Sequence, residues 1–350
     1  MKQKTIFVVD DVALNLQIAE DVLETKYRVI TISSAIKMFG ILKKVIPDLI
    51  LLDIKMPEMS GFEAMEQLSS NPAYENIPVI FLTGLDDADN EAHGIELGAV
   101  DFISKPISEP VLLNRIKHHL EIDQLVKEKT ADNLRLQNGI VYTLADLVEN
   151  RDGNTGGHIA RTTNYLKILV ETMLQNGIYA EEMMNWDMDM LTSSARLHDI
   201  GKISISDTIL NKPGRYTDEE YQIMKQHTLI GQEIIHKMMD RSGSFDFLAY
   251  AKNFAAYHHE WWNGNGYPYN LKGEEIPLMG RILALVDVYD ALTMERPYKK
   301  AFPHEVALNI IREETGTHFD PKIVEAFFMV EQQFLQEKTR LSTDHKTEEG

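Results

Sequence analysis

The sequence predicts two domains of different class, an α/β domain on a five-stranded parallel sheet and an all-α domain after it. Three observations carry this prediction. The 350 residues suit two or three domains at roughly 100–200 residues each. From Lys4 to Ile122, short apolar runs alternate with amphipathic stretches. Beyond about Gly139 the strand signal disappears and long helical periodicities take over. The expected layout is a first domain over 4–122, a helical linker over 123–138, a second domain over 139–337 and a disordered polar tail over 338–350. At 44% hydrophobic and 25% charged residues, a mainly disordered or fibrous chain is excluded.

The apolar runs of the first domain are Ile6–Val9, Val29–Ile32, Leu49–Leu52, Val79–Leu82 and Phe102–Ile103. Between the first two, Leu14, Ile18, Val22 and Leu23 recur at helical spacing. Strands alternating with helices imply a parallel sheet covered on both faces. In such sheets the chemistry lies beyond the carboxyl ends of the strands. Asp10 and Asp11 follow the first strand, Asp53 ends the third, Thr83 ends the fourth and Lys105-Pro106 ends the fifth. Three carboxylates at one edge suit Mg2+, which wants oxygen ligands. A hydroxyl and an ammonium beside them can hold phosphoryl oxygens. One such residue would serve solubility alone; five on four strand ends exceed that account.

This stretch resembles a response-regulator receiver domain, which has a flavodoxin-like fold. The resemblance rests on Val9-Asp10-Asp11, Leu52-Asp53 through Gly61, Leu82-Thr83-Gly84 and Ser104-Lys105-Pro106. It implies that Asp53 accepts a phosphoryl group from a histidine kinase, and that Asp10, Asp11 and Asp53 bind Mg2+. It also implies that Thr83 and Lys105 contact the phosphoryl oxygens, that Phe102 is the switch aromatic, and that the Lys105–Pro106 bond is often cis.

In the connector, Leu112, Leu113, Ile116 and Leu120 form an apolar stripe, and the pattern resumes at Leu134 after a polar run over 127–133. The heptads are too broken to read as a coiled coil. Either a solvated helix joins the domains, or a dimerising helix carries a signal between them in a homodimer. His118 and His119 read as surface residues.

In the second domain, helical periodicity covers His158–Met173, Asp189–Ile203, Tyr221–Met239 and Met279–Met294, punctuated by Asn211-Lys212-Pro213-Gly214 and by Asn263 through Pro268. With no cysteine in the chain, disulfides, thiolate zinc sites, iron–sulfur clusters and a Cys nucleophile are excluded. Any metal falls to His, Asp and Glu. His158, His198, His227, His258 and His259 concentrate here, with Asp199 beside His198 and Asp287 in an apolar helix. A lone histidine on an apolar face is more often a satisfied core residue, and a lone buried Asp is costly unless paired or metal-bound. Adjacent His-Asp and His-His pairs, however, suit two ions side by side with a bridging carboxylate, in a donor set that fits Fe, Mn or Zn. Two such ions about 3.5–4 Å apart can clamp a phosphodiester.

The domain resembles the HD-GYP subfamily of HD-domain phosphohydrolases, through His198-Asp199-Ile200-Gly201-Lys202, His258-His259-Glu260 with Gly264 through Pro268, Glu149 through Asp152 with Thr155 through His158, and His318 through Pro321. The resemblance implies hydrolysis of cyclic di-GMP to pGpG, GMP or both. It implies two ions, Fe or Mn, held by His158, His198, Asp199, His227, His258, His259 and Asp287. Asp199 would bridge them and act with Lys202 as the catalytic pair. It puts Lys202, Gly266, Tyr267, Pro268, Asp290, Arg296 and Lys299 at the substrate. Asn154 stands where some members carry a third-metal Glu, which favours two ions. Glu149 is expected to pair with Arg151 or Arg161. Trp261 and Trp262 are expected in core packing. His93, His236, His304 and His345 are expected outside any site, and His318 as a support of the fold.

The formal charge of −19 argues against non-specific nucleic-acid binding, so DNA is not an expected partner. A dianionic substrate must then be attracted locally. The lack of a membrane-length apolar run and of a signal-peptide pattern makes a cytoplasmic protein with no membrane partner the expectation. Two alternatives stand beside the cyclic di-GMP phosphodiesterase. One is a nucleotide-sensing or partner-docking module without turnover. The other is a hydrolase of another cyclic dinucleotide such as cyclic GMP-AMP.

Overall fold

A computed structural model describes residues 3–84, 88–152, 157–243, 245–295 and 300–348. The chain divides into two compact units, Met1–Asn133 and Leu134–Gly350. In the first, β1 (Thr5–Val9), β2 (Arg28–Ile32), β3 (Leu49–Asp53), β4 (Val79–Thr83) and β5 (Asp101–Ser104) alternate with α1 (Ala13–Leu23), α2 (Ala35–Leu42), α3 (Gly61–Ser69), α4 (Ala88–Glu96) and the start of α5 (Glu109–Arg151). The sheet is parallel, in the order β2-β1-β3-β4-β5.

Side chains alternate across a strand, and both faces of this sheet are covered. Phe7, Val9, Ile50, Leu52 and Phe81 enter one core; Ile6, Val8, Leu49, Leu51 and Ile80 enter the other with Leu112, Ile116 and Leu120 of α5. Every residue of β1, β3 and β4 is therefore buried, which is why those runs read as continuously apolar. A capping box of Ser60 and Glu63 starts α3.

In the second unit, the end of α5 is followed by α6 (His158–Gln175), α7 (Ala180–Met183), α8 (Met188–Ala195), α9 (Asp207–Leu210), α10 (Asp218–Ser242), α11 (Asp246–Tyr257), α12 (Leu278–Thr293), α13 (His304–Glu313) and α14 (Pro321–Glu348). Helix α12 is apolar nearly all round and correspondingly buried. It packs on α6 and α11, while α6 also packs on α14 and α11 on α8 and α10. Tyr165, Phe254, Ile282, Leu285, Tyr289, Phe327 and Phe334 fill the main core. Val141 and Val148 of α5 join Leu197, Ile200, Ile235 and Ala251 in a second cluster.

One expectation is corrected. The periodicity over Asp189–Ile203 is not one helix. Helix α8 stops at Ala195, and a 3-10 turn, Ile200–Ser204, follows. The turn lies so close to α10 that a Cβ on Gly201 would sit 1.9 Å from the His227 carbonyl oxygen and 2.5 Å from the Gly231 nitrogen. The break frees His198 and Asp199 from helical divergence. Helix α14 continues to Glu348. Polarity does not end a helix, and neither Gly nor Pro intervenes before Gly350.

Gly201→Ala forces backbone against backbone, where nothing flexible can yield. The expected cost is about 3 kcal/mol, a fall in the Tm of the second unit on the order of 10 °C, checked by calorimetric melting of the full chain.

Candidate metal centre and phosphoryl-acceptor site

Five separate pieces of chain build the cluster in the second unit. His158 opens α6 behind Gly157, whose φ of 92° is a left-handed conformation suited to glycine. His198 and Asp199 lie in the turn after α8, His227 within α10, His258 and His259 at the end of α11, and Asp287 within α12. Ligand atoms of His158, His198 and Asp199 lie within 4.8 Å of one another, as do those of His227, His258 and His259.

Asp199 joins the two groups. Its Oδ2 lies 3.4 Å from His198 Nε2, while its Oδ1 lies 3.4 Å from His227 Nε2 and 3.8 Å from His258 Nε2. Asp287 Oδ1 is 3.6 Å from His158 Nε2. The opposite ring nitrogens are all engaged. His158 Nδ1 meets Asp290 Oδ2 at 2.8 Å, and the Nδ1 atoms of His198, His227 and His258 meet the carbonyls of Ala195, Met224 and Phe254 at 2.9, 2.7 and 2.8 Å. An Nδ1–H donated outward turns Nε2 inward, the nitrogen left to serve as a metal ligand.

Burial drives His258 down to about 3, and holds His259 well below and His227 below the ordinary imidazole value. Those rings are neutral and ready to coordinate. Burial also lowers His198, but the Asp199 carboxylate outweighs it and raises the group to about 8. Asp199 is held well below the carboxylate range: burial opposes this, and Lys202 and His198 prevail.

The donors fit divalent transition ions. His198 Nε2 and Asp199 Oδ1 are buried without a hydrogen-bond partner, a costly state that coordination would relieve. Neutral imidazoles with carboxylates are a nitrogen and oxygen set.

The surrounding residues are sorted less simply. Lys202 Nζ lies 2.7 Å from Asp199 and 2.8 Å from Asp152, a partner the sequence reading missed. Asp290, expected at the substrate, is 2% exposed and turned away. Beyond His158 it takes Arg161 Nε at 2.6 Å and Nη2 at 3.0 Å, so a buried acid is paired on both oxygens. Glu149 accepts the His158 backbone N–H at 2.7 Å instead of pairing with Arg151, which donates to Asp207 and to the carbonyls of Lys202, Ile203 and Ile205. Gly266 is close-packed, but against its own chain: a Cβ there would lie 2.1 Å from the Trp261 nitrogen. Buried Glu260 ties this loop down by accepting from the N–H groups of Tyr269 and Leu271. Trp261, expected in the core, is 36% exposed and stacks on His318 at 4.4 Å. His304 is buried between Tyr289 and Glu331, away from the cluster. Arg296, Lys299 and Asn154 lie outside the described residues.

In the first unit the strand ends converge as the sequence implied. Lys105 Nζ lies 2.7 Å from both Asp10 and Asp53. Asp10, Asp11 and Asp53 have oxygens within 4.8 Å of one another, and Thr83 Oγ1 is buried without a partner. Burial raises Asp53 despite Lys105. Phe102 stacks on Phe81 with centroids 5.7 Å apart, and the Lys105–Pro106 bond is cis. Gly61 is required here, since a Cβ would meet the Asp53 carbonyl oxygen at 2.3 Å. Among the described residues no helix is long and apolar enough to cross a membrane.

A family model for the HD domain matches residues 143–323, and one for the response regulator receiver domain matches residues 6–117. A probable cyclic di-GMP phosphodiesterase of Vibrio cholerae is 41% identical over 350 residues, covering 96% of this chain and 79% of its own. The cyclic di-GMP phosphodiesterase response regulator RpfG of Xanthomonas campestris pv. campestris is 34% identical over 310 residues, 85% of this chain and 79% of its own. A 3'3'-cGAMP-specific phosphodiesterase 2 of Vibrio cholerae is 39% identical over 186 residues, 53% of this chain and 33% of its own. With both halves matched and the cluster of imidazoles and carboxylates in place, the chain belongs to the response regulators that join a receiver domain to a metal-dependent HD phosphohydrolase domain.

Proposed function

We propose that the second unit hydrolyses cyclic di-GMP to pGpG, GMP or both, using two divalent ions, and that phosphorylation of Asp53 regulates it. The observation that carries the two-ion reading is the division of the Asp199 carboxylate, one oxygen toward His198 and the other toward His227 and His258. His158, His198 and Asp287 would hold one ion, His227, His258 and His259 the other, and Asp199 both. The thiolate-free donor set suits Fe or Mn. Bound ions supply Lewis-acid polarisation of the phosphoryl oxygens and activation of water. The chain itself contributes fixed neutral imidazoles and the Lys202 ammonium. Burial lowers Lys202, but Asp199 and Asp152 more than offset it, so the group keeps its charge beside the phosphate. Tyr267 and the loop from Gly266 to Pro268 border the substrate.

Hydrolysis of cyclic GMP-AMP is the second reading, favoured by the relative named for that substrate. Chain purified without oxygen, analysed for metal and incubated with each dinucleotide is expected to hold about two Fe or Mn and release pGpG or GMP. Asp199→Ala is expected to abolish turnover. Unchanged turnover in that variant refutes the two-ion site centred on Asp199, and no product from metal-loaded chain refutes the enzyme reading in favour of a docking module.

Loading should also expel a proton. Near pH 7 the metal-free His198, at about 8, carries one, and a ligand must be neutral. Calorimetry in buffers of differing ionisation enthalpy is expected to show close to one proton released per chain. Release should vanish, and metal affinity level off, as pH rises above about 8.

A histidine kinase is the natural phosphodonor, with Mg2+ held by Asp10, Asp11 and Asp53. The exposed Ile122, Val126, Leu136, Ile140 and Leu147 of α5 support a homodimer. Sedimentation and turnover of the full chain with Mg2+ and acetyl phosphate are expected to change together, and Asp53→Asn to remove the change.

A further inference from the structure

From the metal cluster outward, the donors give way to a stack of rings and then to a cation. His259 stacks on Tyr267, with centroids 4.8 Å apart and planes at 29°. Lys225 Nζ lies 5.2 Å from the Tyr267 ring centroid and 4.7 Å from that of Tyr221. Tyr221 and Lys225 are one turn apart on α10, and Lys225 precedes the cluster residue His227 by two positions. Tyr221 is 44% exposed, so its ring keeps an open face. Lys225 is half-buried, and among the described residues no carboxylate pairs with it.

That choice of neighbours is informative. The chain carries a formal charge of −19, so carboxylates are abundant, yet this ammonium sits against two π faces. Cation–π contact holds the charge in place without using up its directed N–H donors. A preformed ammonium beside an open aromatic face has the two elements that read a nucleobase: a surface for stacking and a donor for the base edge.

We propose that Tyr221 and Lys225 form a subsite for a guanine base of the substrate. The assignment rests on the cyclic dinucleotide reading above and adds its base selectivity. The Tyr221 ring stacks on the base. Lys225 donates to O6 and N7, both acceptors in guanine. Adenine presents an N6 amino donor where guanine has O6, so the same ammonium meets a donor and loses that contact. Cyclic di-GMP is favoured over cyclic di-AMP. Cyclic GMP-AMP, with one guanine, still satisfies the subsite.

The test is equilibrium binding of non-hydrolysable phosphorothioate analogues of cyclic di-GMP and cyclic di-AMP to the metal-loaded full chain, measured by titration calorimetry. Lys225→Gln is expected to weaken cyclic di-GMP about tenfold and to leave cyclic di-AMP within about twofold. Lys225→Arg keeps the donors and is expected to retain the preference. Tyr221→Leu is expected to weaken both ligands about fivefold or more. Equal losses for the two ligands in Lys225→Gln would mean a phosphate contact and overturn the base assignment, as would no loss at all. Wild-type chain that neither binds nor cuts any cyclic dinucleotide would overturn the phosphodiesterase reading itself. Wild-type chain that cuts cyclic di-GMP, with Lys225→Gln binding it undiminished, would overturn the subsite alone.

Discussion

The second unit is organised around one half-buried carboxylate shared between two sets of imidazoles. Asp199 stays charged in a desolvated position because Lys202 and His198 stand against it. It reaches both sets because the chain leaves the helix just before it. Everything nearby serves that placement. Gly201 lets the turn press on α10 at the level of His227, and Gly280 does the same for α12 at the end of α11, where a Cβ would lie 2.6 Å from Tyr257 Cβ. The two glycines are packing requirements that set where metal-binding groups can meet.

Charge and burial are balanced differently in the two units. In the receiver unit, Asp10 and Asp53 share the Lys105 ammonium, so one cation of the protein itself offsets part of the charge of a pocket that also holds Asp11. In the HD unit, the neutral rings of His227, His258 and His259 stand beside the Asp199 carboxylate, and Lys202 is already committed to Asp152 and Asp199. The first arrangement suits a site that gains a charged group on one carboxylate. The second suits resident cations, whose charge would otherwise lack compensation in a buried place.

Much of this was legible in the sequence, for physical reasons that differ by element. The five strands were readable because a sheet buried on both faces demands unbroken apolar runs, and the residues after each run mark its functional edge. The clustering of histidines was readable through the His198-Asp199 and His258-His259 pairs. The break after Ala195 was not, since Leu197 and Ile200 continue an apolar spacing while packing from a turn. The role of Asp290 was hidden because a second acid three positions after Asp287 looks the same in sequence whether it faces substrate or supports His158. Its partner Arg161 lies more than a hundred residues upstream, where no local pattern connects the two. Asp152, too, meets Lys202 only through the fold.

Three of the rings are steadied by carbonyls three or four residues back along their own chain: His198 by Ala195, His227 by Met224 and His258 by Phe254. Each such ring and its anchor form a local cassette that travels as a unit with its helical segment. Loops joining those segments can therefore lengthen or shorten over evolutionary time without disturbing how any one imidazole is aimed. His158, tied instead to Asp290 from a distant helix, has no such independence; its aim is inherited from how α6 and α12 pack.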